Sequence, residues 1–127
     1  MTGFDAGQLF EKVAFDQRAD QDDGSGNSQE GFAEKFQRRA GFTYLRGGEA
    51  VIASRLEGRQ PIIVRLRRDS DTVQIDSNWR MRDVRNGQWS GADHERYWTG
   101  PVYAVRSVIT TEDRQFLDVM VESGVAP

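Results

Sequence analysis

Residues Arg46 to Val64 read RGGEAVIASRLEGRQPIIV. Two adjacent glycines, Gly47 and Gly48, mark a break, because glycine adopts backbone angles that are closed to other residues. Glu49 to Leu56 are compatible with a helix, although one this short is stable only when it packs on another element. Pro61 lacks a backbone N–H donor, which places it at the start of a strand. The stretch therefore predicts a short helical excursion that leads into a strand.

The strand after Pro61 shows a repeat of two residues. Ile62, Val64 and Leu66 alternate with Ile63, Arg65 and Arg67, so one face is predicted to meet a core and the other to meet water. Similar patterns predict further strands at Lys12–Gln17, Gly31–Leu45, Thr72–Ile75, Trp79–Val84 and Tyr103–Ile109. In the last of these strands, one face is predicted to carry Tyr103, Val105, Ser107 and Ile109.

Within the long predicted strand, Phe32, Phe36, Phe42 and Tyr44 share one face, and Gly41 indicates a bulge or bend. Asp20 to Gly31 has the composition of a loop, and Asn86-Gly87 is a hairpin signal.

Arg114 to Val121 fits two structures: Leu117, Val119 and Val121 alternate as in a strand, whereas Phe116 and Met120 are four apart as in a helix. We predict a strand, because only the short turn Thr111–Asp113 separates this segment from the previous strand.

These elements predict a mainly β fold: a small antiparallel β-barrel or sandwich with one short helical excursion. The chain of 127 residues suits a single domain over residues 1–127. Residues 1–10 are expected to be loosely held, and residues 88–100 to form an extended hairpin insertion.

Composition narrows the function classes. The chain has no cysteine, which excludes disulfides and thiolate metal sites and fits a reducing cytoplasm. The N-terminus has no signal-peptide pattern, and no apolar run approaches the ~20 residues that span a bilayer. The net charge of −3 argues against a basic nucleic-acid binder, although fifteen of the seventeen basic residues are arginine.

No catalytic, metal or cofactor site is predicted. The acidic loop with Asp20, Asp22 and Asp23 lacks the ligand spacing of an EF-hand and is interpreted as a solvated turn. His94 is the only histidine, and a lone histidine without cysteine is a poor metal ligand set. An enzymatic function is therefore disfavoured.

Two groups of residues are candidate binding surfaces. The first is a basic patch formed by Arg38, Arg39, Arg65, Arg67 and Arg68. These arginines could follow a DNA backbone, or they could pair with nearby carboxylates such as Asp69 and Asp71. The second lies in QWSGADHERYWTG (residues 88–100) and consists of Trp89, Arg96, Tyr97 and Trp98. These aromatic and basic side chains could contact a partner protein, stack on nucleic-acid bases, or fold back over the barrel end.

Several segments in order resemble one family. VAFDQRADQDDGSGN (residues 13–27), RGGE (46–49), RLEGRQP (55–61) and WRMRDVRNG (79–87) resemble the phage head–tail joining family, the head-closure or stopper proteins of long-tailed phages and gene transfer agents. Residues 88–100 depart from the family pattern, which passes quickly to a strand similar to VYAVRSV.

The resemblance implies a structural virion protein rather than an enzyme, made and assembled in the bacterial host cytoplasm. It implies a ring of six or twelve copies below the portal or adaptor proteins, which closes the DNA-filled head and provides the docking surface for tail terminator or tail tube proteins. Genome DNA in the channel would be contacted without sequence specificity, and no membrane or cofactor is involved.

A ring needs a heterologous contact, in which one patch of a subunit fits a different patch of the next. We predict that residues 46–60 provide an inter-subunit or channel segment. The segment could instead pack across the mouth of its own barrel. The residues predicted to make these contacts are Arg46, Gly47, Gly48, Glu49, Arg55, Glu57, Arg59 and Gln60. The competing hypothesis is a monomeric OB-like or SH3-like β-barrel that binds nucleic acid.

Overall fold

The computed structural model describes residues 9–19, 21–22, 28–29, 31–45, 48, 56, 58–92 and 96–124. The helix predicted over residues 49–56 lies outside the described residues except for its last residue, Leu56, as does most of the N-terminal segment 1–10.

Six antiparallel strands close into a barrel in the order β1-β4-β5-β10-β9-β6, confirming the predicted fold class. The chain forms these strands in sequence: β1 (Glu11–Arg18), β2 (Gln21–Asp22), β3 (Ser28–Gln29), β4 (Phe32–Tyr44), β5 (Gln60–Arg67), β6 (Trp79–Asp83), β7 (Gln88–Ser90), β8 (Tyr97–Thr99), β9 (Val102–Thr110) and β10 (Phe116–Ser123). The short strands β2 and β3 pair with each other, and so do β7 and β8.

Inward-facing side chains of all six barrel strands fill the barrel. As predicted, Ile62, Val64 and Leu66 of β5 are fully buried, and so are alternate residues of β10, which is a strand and not a helix. Phe15, Phe36 and Trp79 add a chain of tilted ring contacts, with the Phe36 centroid 5.7 Å from the centroid of each of the other two rings. This core excludes water because the inward positions of neighbouring strands meet at the barrel axis.

A bulge changes which residues of β4 face the core. The pairing of β1 with β4 shifts between Phe15 and Asp16, so Phe15 lies opposite Phe36 while Asp16 lies opposite Glu34. Phe36 and Phe42 pack against the core as predicted, and Tyr44 is exposed at the end of the strand. Phe32 lies on the outer wall, so the prediction that all four aromatic residues share one face is wrong.

A second bulge has the same effect on β9. Its register with β10 shifts between Met120 and Val121. Tyr103 and Val105 are buried, but beyond the shift Val108 packs on the core while Ser107 and Ile109 are exposed. The predicted alternation therefore holds only for the first half of this strand. Along β4, Gly41 lies where the strand changes its partner from β1 to β5.

Two local predictions are wrong. Thr72–Gln74 is a 3-10 turn rather than a strand, because the Thr72 hydroxyl bonds the backbone around Asp69 and holds the chain in a tight turn. Asn86-Gly87 does not turn a hairpin: Val84–Asn86 is a 3-10 turn and Gly87 has extended backbone angles. A side chain at Gly87 would overlap the Trp98 indole, so glycine is required here for close approach.

Candidate interaction surfaces

The outer wall of β1 and β6 carries a buried arginine, Arg82. Its guanidinium donates to Asp16 through Nε–Oδ2 at 2.8 Å and Nη2–Oδ1 at 2.9 Å. Nη2 also donates to Glu34 Oε1 on β4 at 2.6 Å. Arg82 therefore ties three neighbouring strands together from outside the barrel, in the paired arrangement that a buried charge needs.

The hairpin β7–β8 covers this ion pair. The Arg82 guanidinium carbon lies 4.9 Å from the centroid of a Trp89 ring and 4.8 Å from that of Trp98, both within cation–π range. The two indoles meet edge to face with centroids 5.5 Å apart. The hairpin is thus folded back along the barrel wall, and its two tryptophans shield Arg82 from water.

The pKa of Arg82 reflects this environment. Burial by itself lowers the pKa, but the hydrogen bonds and charges of Asp16, followed by those of Glu34, outweigh burial and hold the pKa above its ordinary value. The guanidinium therefore stays protonated, and the Asp16 and Glu34 carboxylates accept its hydrogen bonds without removing its proton.

The same wall continues towards the far end of β1. Arg80 donates to Asp16 Oδ2 at 2.7 Å and lies 4.4 Å above the Phe32 ring, and Arg18 lies 4.9 Å from that ring. Cations and aromatic rings therefore alternate over the outside of β6, β1 and β4. This wall explains why β1 is buried on both faces, with Ala14 and Asp16 as inaccessible as the core residues.

A cleft of about 270 Å³ opens beside the hairpin and is lined by Glu34, Arg82, Trp89 and Arg96. Arg96 lies 5.1 Å from a Trp89 ring centroid and makes no ion pair with a described residue. Trp89 is 41% exposed and Tyr97 58% exposed. The predicted partner-contact loop is therefore divided: Trp98 supports the hairpin, while Trp89, Arg96 and Tyr97 are presented to solvent.

The five arginines of the predicted basic patch fall into two groups. Arg38 pairs with Asp69 at 3.1 Å and Asp71 at 2.8 Å, and Arg65 pairs in two-pronged fashion with Asp118 at 2.6 Å, as the alternative interpretation expected. The others are exposed and make no ion pair with a described residue: Arg39, Arg67 and Arg68.

Strand pairing determines which of these cations share a surface. The registers place Lys12 opposite Arg39, and Gly41 opposite Arg65. Since residues alternate between faces, Arg39 shares the outer face with Lys12, whereas Arg38 lies opposite Val13 on the inner side. Arg38 is therefore separated from the outer surface that Lys12 and Arg39 share.

Most of the predicted assembly segment 46–60 lies outside the described residues, which include Gly48, Leu56 and Gly58–Gln60. Leu56 is an exposed apolar residue. Gly58 and Gly124 both have positive φ, and a side chain at Gly124 would overlap the Gly58 carbonyl. The return of this segment to β5 is therefore held closely against the end of β10.

Residues Asp20, Asp23 and His94 lie outside the described residues, and so does the side chain of Asp22. Within the described part of the chain, no three acidic or histidine side chains converge as a metal site would require. Among the same residues, no helix is long and apolar enough to cross a bilayer.

Sequence reasoning missed Asp16, Glu34, Arg80 and Arg82. A signal was present in WRMRD, where two arginines alternate with core residues on a strand followed by a tryptophan-rich insertion. The signal could not be assigned because the acidic partners come from strands far away in the sequence.

The fold and these surfaces define a small closed β-barrel whose distinctive features are contact surfaces on its outer wall. The profile of the phage head completion proteins matches residues 4–124. The chain belongs to this family, which confirms the resemblance seen in the sequence and assigns the chain a structural, head-associated role in a virion.

Two solved structures share the fold at low identity. The solution structure of protein SF1141 from Shigella flexneri 2a is 16% identical with a TM-score of 0.62, covering 98% of this chain and 100% of that chain. A chain in the virion of a native gene transfer agent particle is 16% identical with a TM-score of 0.54, covering 93% of this chain and 97% of that chain. No curated protein sequence matches this chain significantly.

Proposed function

We propose that this protein forms a ring below the portal or adaptor of a phage-like head, closes the head after DNA packaging, and provides the surface on which the tail docks. Membership of the head completion family over residues 4–124 carries this proposal. The similar fold within a gene transfer agent virion supports it. The role is structural, and it requires binding surfaces rather than a catalytic centre.

The barrel has the surfaces that such a ring needs. Each subunit of a ring must contact a neighbour on two different sides, a partner above and a partner below. The hairpin wall occupies one side of this barrel, and the segment between β4 and β5 leaves from one end. Portal or adaptor proteins and tail terminator or tube proteins are the proposed partners at the two ends.

Residues 46–60 are the proposed inter-subunit or channel segment. They connect the end of β4 to the start of β5, so both of their anchors lie at the same barrel end. The positive φ of Gly58 fits a sharp return of the segment into β5. Arg46, Glu49, Arg55 and Glu57 supply charges of both signs, which suits a contact between like subunits.

Genome DNA is the proposed partner of the cationic outer surface. Arg39, Arg67 and Lys12 are exposed there and make no ion pair with a described residue. Unpaired cations of this kind bind phosphates without reading sequence, so the contact would weaken with salt. Arg38 and Arg65 contribute less to DNA binding, because each already forms an ion pair with a carboxylate of this chain.

Assembly without this chain tests the proposal. Particles made without it should package DNA but lose it, and should lack tails, while resupplying the chain should restore both properties. Cryo-electron microscopy of the neck should then show a closed ring of the resupplied protein. DNA-filled, tailed particles in normal number without the chain would reject the function.

A second candidate is a monomeric nucleic-acid-binding barrel, which Arg39, Arg67 and Arg68 favour because none of them forms an ion pair with a described residue. We expect the isolated chain to be largely monomeric in either case, because weak lateral contacts form a ring only on a template of high local concentration. Salt-dependent binding to free duplex DNA, together with absence of the chain from particles, would support the second candidate.

A further inference from the structure

The cleft beside the hairpin has a carboxylate with one oxygen still available, Glu34, and a guanidinium, Arg96, on either side of an aromatic surface. Glu34 Oε1 accepts from Arg82 and Gln37, while Oε2 accepts no hydrogen bond from a described residue. Arg96 lies over Trp89 and makes no hydrogen bond or ion pair with a described residue. This first patch, defined by Glu34, Trp89, Arg96 and Tyr97, can therefore receive a surface that carries both signs of charge around an apolar group.

The turn between β9 and β10 carries a second set of unused groups. Glu112 and Arg114 are exposed and make no ion pair with a described residue. Ile109, at the end of β9, is 64% exposed. Asp113, in contrast, is occupied inside the turn, where it accepts from the Thr111 hydroxyl and the Gln115 amide.

Arg114 has φ of 60°, and it is the one described non-glycine residue with positive φ. Glycine would adopt this conformation more easily, so Arg114 lies at a locally unfavourable backbone position. Backbone strain of this kind is concentrated at functional positions. The side chain of Arg114 is therefore a candidate for a contact outside its own subunit.

Glu34 of the first patch and the β9–β10 turn lie on opposite sides of the barrel and near the same end. In the strand order β1-β4-β5-β10-β9-β6, β9 is three places from β4 and therefore faces it across the barrel. Glu34 lies near the start of β4, at the end of the barrel where β9 finishes at Thr110. This placement suits a head-to-tail contact within the plane of a ring.

We propose that the first patch of one subunit receives the β9–β10 turn of a second copy of this chain. Arg96 meets Glu112, Glu34 meets Arg114, and Ile109 packs on the exposed rings of Trp89 and Tyr97. The proposal rests on the proposed ring and specifies its lateral contact. Opposite charges in both pairs set the register, and the aromatic and aliphatic groups provide the buried apolar area.

Cross-linking in assembled particles tests this contact, since the chain has no native cysteine. A double variant, Tyr97→Cys with Ile109→Cys, treated with a short bis-maleimide, should give covalent oligomers larger than dimers. The matched control, Tyr97→Cys with Thr43→Cys, should stay monomeric, because Thr43 is exposed near the opposite end of the barrel. The linker spans a wider gap than a disulfide, so the result does not depend on ideal geometry.

Charge reversal gives an independent readout. Arg96→Glu and Glu112→Arg should each lower incorporation into particles about tenfold, the effect of about 1.4 kcal/mol, and the double variant should restore it. Incorporation without cross-linking or charge dependence would overturn this contact and leave the ring function standing. Absence of the unmodified chain from particles would overturn both.

Discussion

Arg82 and Asp16 form a two-pronged ion pair on the outer wall of the barrel, yet the side chains are only 1% and 3% exposed. Outward positions of a small barrel normally face water, and ion pairs there contribute little to stability. Here the β7–β8 hairpin excludes water, so the pair is buried and its integrity matters. The hairpin and the ion pair therefore depend on each other.

Removing Arg82 should destabilise the protein strongly. Arg82→Ala leaves the buried Asp16 carboxylate with Arg80 as its remaining cation and removes the Arg82 guanidinium from both tryptophan rings, so we expect a loss of about 3 kcal/mol. The free energy of unfolding in urea measures it. The control is Arg106→Ala, which breaks the more exposed pair with Glu122 and should cost at most ~1 kcal/mol. Equal losses in the two variants would show that the hairpin does not shield Arg82.

Gly87→Ala should loosen the hairpin. A methyl group at this position would overlap the Trp98 indole, so the indole must move away and we expect a loss of about 1–3 kcal/mol. Gly48→Ala is the matched control, since a Cβ there meets no atom within 4 Å. Tryptophan fluorescence should shift to longer wavelength only in the Gly87 variant. Unchanged emission and stability would contradict the close packing of Gly87 against Trp98.

Acid should weaken the turn that follows β5 through Asp69. Burial raises the pKa of this carboxyl, but hydrogen bonds from the Thr72 amide and Arg38, together with other contacts, outweigh burial and hold the pKa below its ordinary value of 3.8. The unfolded chain therefore binds a proton more readily than the folded chain. The resulting stability is present above pH 3.8 and is lost as the pH falls through the lower folded value.

Asp69→Asn isolates this contribution, because it removes the charge and preserves the shape of the side chain. The variant should be less stable than the unmodified protein at neutral pH, and the difference should shrink as the pH falls below 3.8. Urea unfolding at several pH values measures this. A difference that stays constant down to pH 2 would contradict the linkage.

The charges of residues 46–60 should matter for assembly more than for folding. The double variant Arg55→Ala with Glu57→Ala should lose at most ~1 kcal/mol of stability, as exposed charges do. If the segment contacts neighbours or the channel, particles carrying this variant should lose DNA or lack tails. Normal tailed particles would reject this role and favour a segment that covers its own barrel mouth.

Much of the barrel could be predicted from local patterns. The alternation in β5 and β10 holds because both strands remain in register along their shared length, Gln60–Arg67 against Phe116–Ser123. Each inward residue is then followed by an outward one, and the repeat of two can be detected in the sequence. The family resemblance was also detectable, because its segments retain their order and spacing.

The sequence by itself determined the class of the fold, since apolar alternation and turn residues act over a few positions. Tertiary structure decided the two bulges, the extended conformation of Gly87 and the pairing of Arg82 with Asp16 and Glu34. Glu34 and Arg82 are 48 residues apart and meet only because β1 pairs with both β4 and β6. A bulge or a buried ion pair depends on which strands become neighbours, and no local pattern carries that information.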